Sequence, residues 1–278
     1  MTATVAALVP RDVVRASGGD AATFLQGQIS QDVEAVEAGG SAWSLVLAPQ
    51  GKVDAWFRLA RCEDGSFLLD VDAGFGPGLV ARLERFKLRV DATFELLEGW
   101  QMLSVRGSFG NPDGLDAVQA ELRATVAWPG FEGVDLLGPQ VSLPAGAEAS
   151  TAAMEVARIR AGWPAMGREL TGRTIPAEIA GLVESSVSFT KGCYTGQELV
   201  ARIDSRGGNV PRPVRLLEIH GDGVSPGAGI TVDGKAAGEI TSAAADADAR
   251  VTVALGPVHR RVEPPAAATV AGRPATVL

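Results

Sequence analysis

The run Lys191-Gly192-Cys193-Tyr194-Thr195-Gly196-Gln197-Glu198 gathers a thiol, an ammonium, the chain's single tyrosine and two glycines within eight positions. Thr195 and Glu198 have the spacing of a capping box, in which each residue's side chain takes the other's backbone N–H. The amphipathic residues 199–203 follow at once. The pattern therefore predicts a loop entering a helix near Thr195, with Cys193 just outside its N-terminus. The positive end of a helix dipole favours an anion, and a thiol placed there beside a lysine gains thiolate character. Gly192 and Gly196 would supply φ > 0 or close backbone approach. The same residue types also suit an ordinary turn with a buried cysteine acting as a small hydrophobe, and residue types alone leave both readings open.

The rest of the chain bounds what such a thiol could serve. Its 278 residues are 46% hydrophobic and 21% charged, a globular composition with ample core, and the formal charge is −8. An acidic chain without a long basic run is a poor partner for a nucleic-acid backbone. Cys62 and Cys193 lie too far apart to suggest a disulfide framework. With His220 and His259 they show no zinc-ligand spacing, and two cysteines cannot furnish a four-cysteine iron–sulfur site, so no resident metal is expected. Residues 1–10 are apolar but short and lack a basic leader, so neither a signal peptide nor a membrane span is expected. Sparse cysteine use points to the reducing cytoplasm.

The elements that must position the motif alternate between strand and helix. Asp20 is expected to cap a helix over 21–26 stopped by Gly27, with Gln26, Gln28 and Gln31 close behind. Strands are expected at 43–48 and 51–60, joined through Pro49-Gln50-Gly51, and again at 67–72, 90–98, 101–106 and 134–137. The glycines at 74–78 lack the spacing of a dinucleotide fingerprint and read as a turn before a helix carrying Leu79, Leu83 and Phe86. Asn111-Pro112 is expected to open a helix with Leu115, Val118 and Leu122, and Ser150 to cap one running through Ala161. Beyond Arg206-Gly207-Gly208 only short strand candidates remain, at 214–220, 230–232, 238–241, 251–255 and 267–270. These observations predict an α+β region over 1–210 and a small β-barrel or sandwich over 211–278.

Several blocks resemble one family in the same order along nearly the whole chain. They are residues 24–32 (Phe-Leu-Gln-Gly-Gln-Ile-Ser-Gln-Asp), Pro49-Gln50-Gly51-Lys52-Val53, Arg158 to Gly162, Arg173 to Glu178, the cysteine motif, and residues 232–242. Together they are similar to the YgfZ-type folate-binding proteins, relatives of the glycine-cleavage T-protein. The resemblance implies a ring-like domain arrangement around a tetrahydrofolate-sized cavity and a role in assembling or repairing iron–sulfur proteins, tRNA-modifying radical enzymes among them. It implies folate and iron–sulfur assembly factors or client enzymes as partners, with no direct nucleic-acid or membrane contact. Cys193 would be a thiolate or a shared cluster ligand, tuned by Lys191. Asp54, Gln26, Gln28, Arg202 and Arg206 would line the folate cavity, with Trp56 and the Cys193 loop facing the same space.

Two positions depart from the T-protein pattern. Ala55 stands where the catalytic aspartate would be, and Arg160 replaces a glutamate that would face the pterin. Aminomethyl transfer is therefore the weaker alternative, since an alanine cannot stabilise a cationic one-carbon adduct. A scaffold that has lost folate, with Cys193 structural, is the other.

Overall fold

The computed structural model describes residues 4–107, 115–144 and 147–278. Asn111 and Pro112, the expected start of a helix, lie outside them.

The first eight strands form one antiparallel sheet. They are β1 (Val5–Ser17), β2 (Ser41–Leu47), β3 (Val53–Arg61), β4 (Phe67–Asp72), β5 (Thr93–Leu97), β6 (Gln101–Arg106), β7 (Leu122–Trp128) and β8 (Phe131–Gly138), in the order β2-β3-β4-β1-β6-β8-β7 with β5 also on β1. The long β1 organises it. Its first half, Val5 to Pro10, pairs with β6, and its second half, Arg11 to Ala16, pairs with β4, while Val13 to Ser17 also pair with β5. Pro10 stands at the change of partner. Two helices with apolar faces accompany these strands, α1 (Ala21–Gln28) and α2 (Gly76–Phe86). Phe24 and Leu25 of α1 and Leu79 and Leu83 of α2 join the same core as β2 to β4.

The expected helix carrying Leu115 and Leu122 is replaced. Leu115–Ala117 is a single 3-10 turn, and Leu122 opens β7. The strand reading wins because Leu122, Ala124, Val126 and Trp128 are all buried at a spacing of two, the period of a sheet face.

Between the sheets run α3 (Thr151–Arg160), α4 (Leu182–Ser186) and α5 (Gln197–Asp204). Ser150 caps α3 as the sequence suggests, its hydroxyl accepting from the Ala153 N–H at 3.1 Å. Gly162, at φ +65°, ends it, with the Trp163 N–H returning to the Arg158 carbonyl at 3.0 Å.

The last seven strands make a second antiparallel sheet. These are β9 (Val214–His220), β10 (Gly229–Val232), β11 (Lys235–Glu239), β12 (Ser242–Asp246), β13 (Val251–Pro257), β14 (Ala266–Val270) and β15 (Arg273–Val277), ordered β11-β10-β14-β15-β9-β13-β12. The sheet curls until β11 meets β13. At Gly238 a Cβ would sit 2.1 Å from the Pro257 carbonyl oxygen, and at Gly256 2.2 Å from that of Glu239, so only glycine permits the approach. Arg160 clasps this sheet to α3 through Glu218 at 3.0 Å and Asp246 at 2.7 Å. Among the described residues no helix is long and apolar enough to cross a membrane.

Candidate functional site

The middle of the molecule holds a cavity of about 240 Å³, bounded by β1, β2, β3, β6, β7 and α3. Four of the five tryptophans surround it. Trp43 stacks on Trp56 at 4.3 Å between ring centres, and Trp163 lies 5.2–5.7 Å from Trp43, Trp56 and Trp128. Offset and edge contacts of this kind leave flat aromatic faces for a planar ligand.

A buried ionic network underlies one wall. Register places it: Arg11 lies opposite Asp72, and Arg58 opposite Asp70. The Arg11 Nε donates to Asp70 at 2.5 Å, and Arg11 also pairs with Asp72. Arg58 spans Asp70 at 2.7 Å and Asp135 at 3.0 Å, and Arg106 reaches Asp135 at 2.8 Å. Burial alone would raise the Asp135 carboxyl, but Arg106, Arg58 and the Ser104 hydroxyl hold it below its ordinary value. Three arginines thus balance three aspartates, as buried charge requires. Arg106 covers the Trp128 ring at 4.1 Å. Among the described residues, the Trp128 Nε1 and the Nε atoms of Arg58 and Arg106 have no hydrogen-bond partner, and a buried donor ordinarily has one. On the opposite side Arg158 bonds Glu155 at 2.8 Å and Glu169 at 3.1 Å.

The cysteine motif forms a separate surface. Cys193 is exposed, whereas Cys62 is half-buried. The expected capping box is absent. The helix starts one residue later, with Gly196 at φ +84° as N-cap, and the Gln197 side chain turns back to accept the Tyr194 N–H at 3.1 Å. Geometry explains the substitution. Gly196 lies against the 48–51 turn, where a Cβ would come within 2.5 Å of the Ala48 carbonyl oxygen. Gly51, at φ +74°, faces Leu199 of α5 just as closely. The two glycine motifs therefore interlock. Gly192, by contrast, has no positive φ and open space at its Cβ, so the expected conformational demand falls on Gly196 alone. Thr195 is half-buried and Glu198 exposed.

Lys191 does not point along the motif toward the thiol. Its ammonium donates to the carbonyls of Gln26, Ile29 and Gln31 at 2.7, 2.8 and 2.9 Å, closing the end of α1. Burial pushes this lysine down to about 8, with Asp32 and Glu34 opposing. It also lies 5.4 Å from the centre of the Tyr194 ring, and burial pushes that phenol up to about 12. A chain of hydrogen bonds runs from this anchor back to the cavity. Trp56 Nε1–H donates to the Ser186 hydroxyl at 3.0 Å, Ser30 Oγ–H to the Ser186 carbonyl at 2.6 Å, and the Ser188 N–H to the Ser30 carbonyl at 3.0 Å.

The expected single pocket is divided. Trp56 lines the central cavity, but Asp54 and Ala55 line another of about 460 Å³ against α2. A bulge is the cause. Leu47 pairs with Val53 and Val46 with Ala55, leaving Asp54 as the extra residue, which breaks the alternation that would put Asp54 and Trp56 on one face. Asp54 instead accepts from Arg82 Nε at 3.1 Å, and the same arginine reaches Gln28 at 3.3 Å. Gln26 turns inward on its own loop, to Asp32 at 2.9 Å and the Val33 N–H at 2.8 Å. Arg202 and Arg206 are exposed on α5 and the turn after it, and line none of these cavities. Cys193 lines none either.

No protein-family model matches the chain. It is 30% identical over 259 residues to the mitochondrial iron–sulfur cluster assembly factor IBA57 of Mus musculus, covering 82% of this chain and 72% of that one. The chain belongs to the IBA57 family. The tRNA-modifying protein YgfZ of Edwardsiella ictaluri is 29% identical over 221 residues, 70% of this chain and 65% of that one, and falls within the same group of relatives. Among solved structures, the glycine cleavage system aminomethyltransferase T from Bartonella henselae matches 98% of this chain and 85% of its own with a TM-score of 0.77. At 20% identity that likeness is one of fold, and the α+β, T-protein-like architecture is the one the sequence blocks imply.

In this IBA57/YgfZ-family chain the residues missed from the sequence are the charged wall and three of its tryptophans: Arg11, Arg58, Arg106, Asp70, Asp72 and Asp135, with Trp43, Trp128 and Trp163. A signal existed. Arg58 and Asp70 sit among apolar neighbours within β3 and β4, and Arg106 ends β6, all three buried, and a charge at such a position needs a partner of opposite sign.

Proposed function

We propose that the protein is a tetrahydrofolate-binding accessory factor for assembly or repair of iron–sulfur proteins in the reducing cytoplasm, working through Cys193. The observation that carries the reading is the central cavity: four tryptophans, unpartnered Trp128 and Arg106 N–H groups, and the half-exposed carboxylates of Asp72 and Glu155 on its lining. These residues fit a pterin. The aromatic faces would hold the ring and the carboxylates would accept its amino and ring N–H groups. At about 240 Å³ the cavity is below the roughly 300–1,000 Å³ of whole-ligand sites, so it suits the bicyclic head and leaves the glutamyl tail outside. Bound tetrahydrofolate supplies nucleophilic amines that carry one-carbon units. With Ala55 buried where the resemblance puts a catalytic aspartate, this chain offers no carboxylate there for aminomethyl transfer.

The thiol half of the reading rests on exposure and on scarcity. Cys193 is free and exposed, and among the described residues no group of three His, Cys, Asp or Glu could hold a metal ion. With two cysteines in the chain, a four-cysteine cluster would draw its other ligands from an assembly factor or client, with Cys193 giving one. Lys191 acts as the anchor that fixes the motif loop to α1.

Tryptophan fluorescence and calorimetry with tetrahydrofolate test the first half. Quenching with matching heat is expected, and Trp163→Leu should weaken binding about tenfold, near 1.4 kcal/mol. Cys193→Ser should keep folate binding and the thermal midpoint yet fail to restore iron–sulfur enzyme activity in cells lacking the endogenous protein. No quenching at millimolar folate removes the folate role, and full rescue by the serine variant removes the thiol.

A further inference from the structure

The largest of the three cavities is lined neither by the tryptophans nor by the cysteine. It is a cleft of about 500 Å³ between the 168–178 segment and the rim of the C-terminal sheet at β11 and the end of β13. Its volume falls inside the range of small-molecule sites, roughly 300–1,000 Å³.

The charges on its walls are unequally committed. Glu169 is fully enclosed and its two oxygens are saturated. One accepts from Arg158 and the Ala165 N–H, both at 3.1 Å, and the other from the Thr241 and Ser242 hydroxyls, both at 2.6 Å. Arg168 is paired outside the cleft with Glu155. Glu178 accepts the Ile175 N–H at 3.1 Å, and burial raises its carboxyl against the opposing pull of that N–H, Arg212 and Lys52. Arg173, on the segment, and Arg212, before β9, both line the cleft and are exposed. Among the described residues neither guanidinium has an ion pair or a side-chain hydrogen bond. His259 adds a third donor. Its Nδ1 accepts the Arg261 N–H at 3.2 Å, which leaves Nε2 as the protonated nitrogen. Beside Glu178, the cleft's other carboxylate outside the Glu169 cluster is Glu239, exposed at the rim.

From this arrangement we infer that the cleft binds a small organic anion with two or more oxyanion groups, held by Arg173, Arg212 and His259. The two walls come from different parts of the chain, so one bridging anion satisfies both guanidinium forks, and arginine matches carboxylate and phosphate oxygens alike. A single inorganic ion would leave most of the volume empty. The inference does not rest on the folate reading: the cleft shares no lining residue with the tryptophan cavity, although Glu169 and Arg168 of the one contact Arg158 and Glu155 of the other.

The test uses the whole protein with pyrophosphate and citrate as probes, followed by calorimetry at low salt. One probe should bind with a Kd below about 1 mM, and which one does so distinguishes a phosphate from a polycarboxylate ligand. The double variant Arg173→Gln/Arg212→Gln should lose at least about tenfold in affinity while keeping the thermal midpoint and the tetrahydrofolate response, because both side chains are exposed and neither makes an ion pair or side-chain hydrogen bond among the described residues. Binding of neither probe with a Kd below about 1 mM, or equal binding by the double variant, overturns the inference.

Discussion

Asp135→Asn is the most informative single change to the cavity wall. The amide keeps the volume and removes the charge. Arg58 still has Asp70 at 2.7 Å, so the loss falls on Arg106, whose side chain is 1% exposed and whose carboxylate partner is Asp135. Leaving a buried charge without its partner costs roughly 3–5 kcal/mol. Arg106 also donates to the Val105 carbonyl at 2.9 Å and covers the Trp128 ring, which moves the expected loss to the lower end, about 3 kcal/mol. For a chain of this size that is a fall in thermal midpoint of roughly 6–12 °C. The pH dependence gives a second reading. The folded carboxyl of Asp135 lies below its ordinary 3.8, so its contribution is present above that pH and is lost as pH falls through the folded value. The gap between wild type and variant should therefore be constant from pH 5 to 8 and narrow only below about pH 4. Urea titrations of Asp135→Asn, Arg106→Met and the double variant measure the coupling directly, and the double variant should lose less than the sum of the two singles. A loss under about 1 kcal/mol for Asp135→Asn, with additive singles, would refute the account of the network.

Three further outcomes follow from other contacts. Gly196→Ala should destabilise by about 1–3 kcal/mol, because the residue is left-handed and its Cβ would meet the Ala48 carbonyl oxygen at 2.5 Å; Gly192→Ala should stay within about 0.5 kcal/mol, and equal effects in urea titrations would contradict the interlocked turn. Lys191 has a folded value of about 8 against an ordinary 10.5, so the folded state binds fewer protons there than the unfolded chain, and stability should rise relative to Lys191→Met between pH 8 and 10.5; a falling difference across that window in chemical denaturation would reverse the sign. Arg160→Glu would set a third carboxylate beside Glu218 and Asp246, and scanning calorimetry should show a loss of about 1–2 kcal/mol, modest because the site is partly exposed; an unchanged midpoint would mean the clasp carries no stability.

What the sequence made legible was local. The Ser150 cap, the strands of β2 to β4 and the two glycine-bearing turns could be placed because turn and capping residues act within a few positions. The site was not local. Lys191 finds its three acceptors 160 to 165 residues away, so a lysine two positions from a thiol reads as its electrostatic partner until the fold shows it closing a helix. The Asp54 bulge shifts one strand by one residue, enough to send Asp54 toward α2 while Trp56 stays on the cavity. No residue type announces that slip.

The separation of cavity and thiol changes what the proposed mechanism must explain. The part of a ligand enclosed against Trp56 does not meet Cys193, because the cysteine lines neither cavity around β3. It can act on the loop only through what lies between them. Those contacts are the Trp56–Ser186–Ser30 hydrogen bonds and the Lys191 anchor on the Gln26, Ile29 and Gln31 carbonyls. Ser186 and Ser30 are fully buried, and a buried polar contact that loses its partner costs about 1–3 kcal/mol. That is enough to hold the loop in one arrangement and enough to shift its population if a ligand rearranged Trp56. Trp56→Phe keeps a smaller aromatic face and removes the N–H that reaches Ser186. If folate binding and thiol exposure are linked through this route, the variant should bind tetrahydrofolate while losing the ligand's effect on the rate of Cys193 alkylation. An undiminished effect would mean that the two sites communicate by another path.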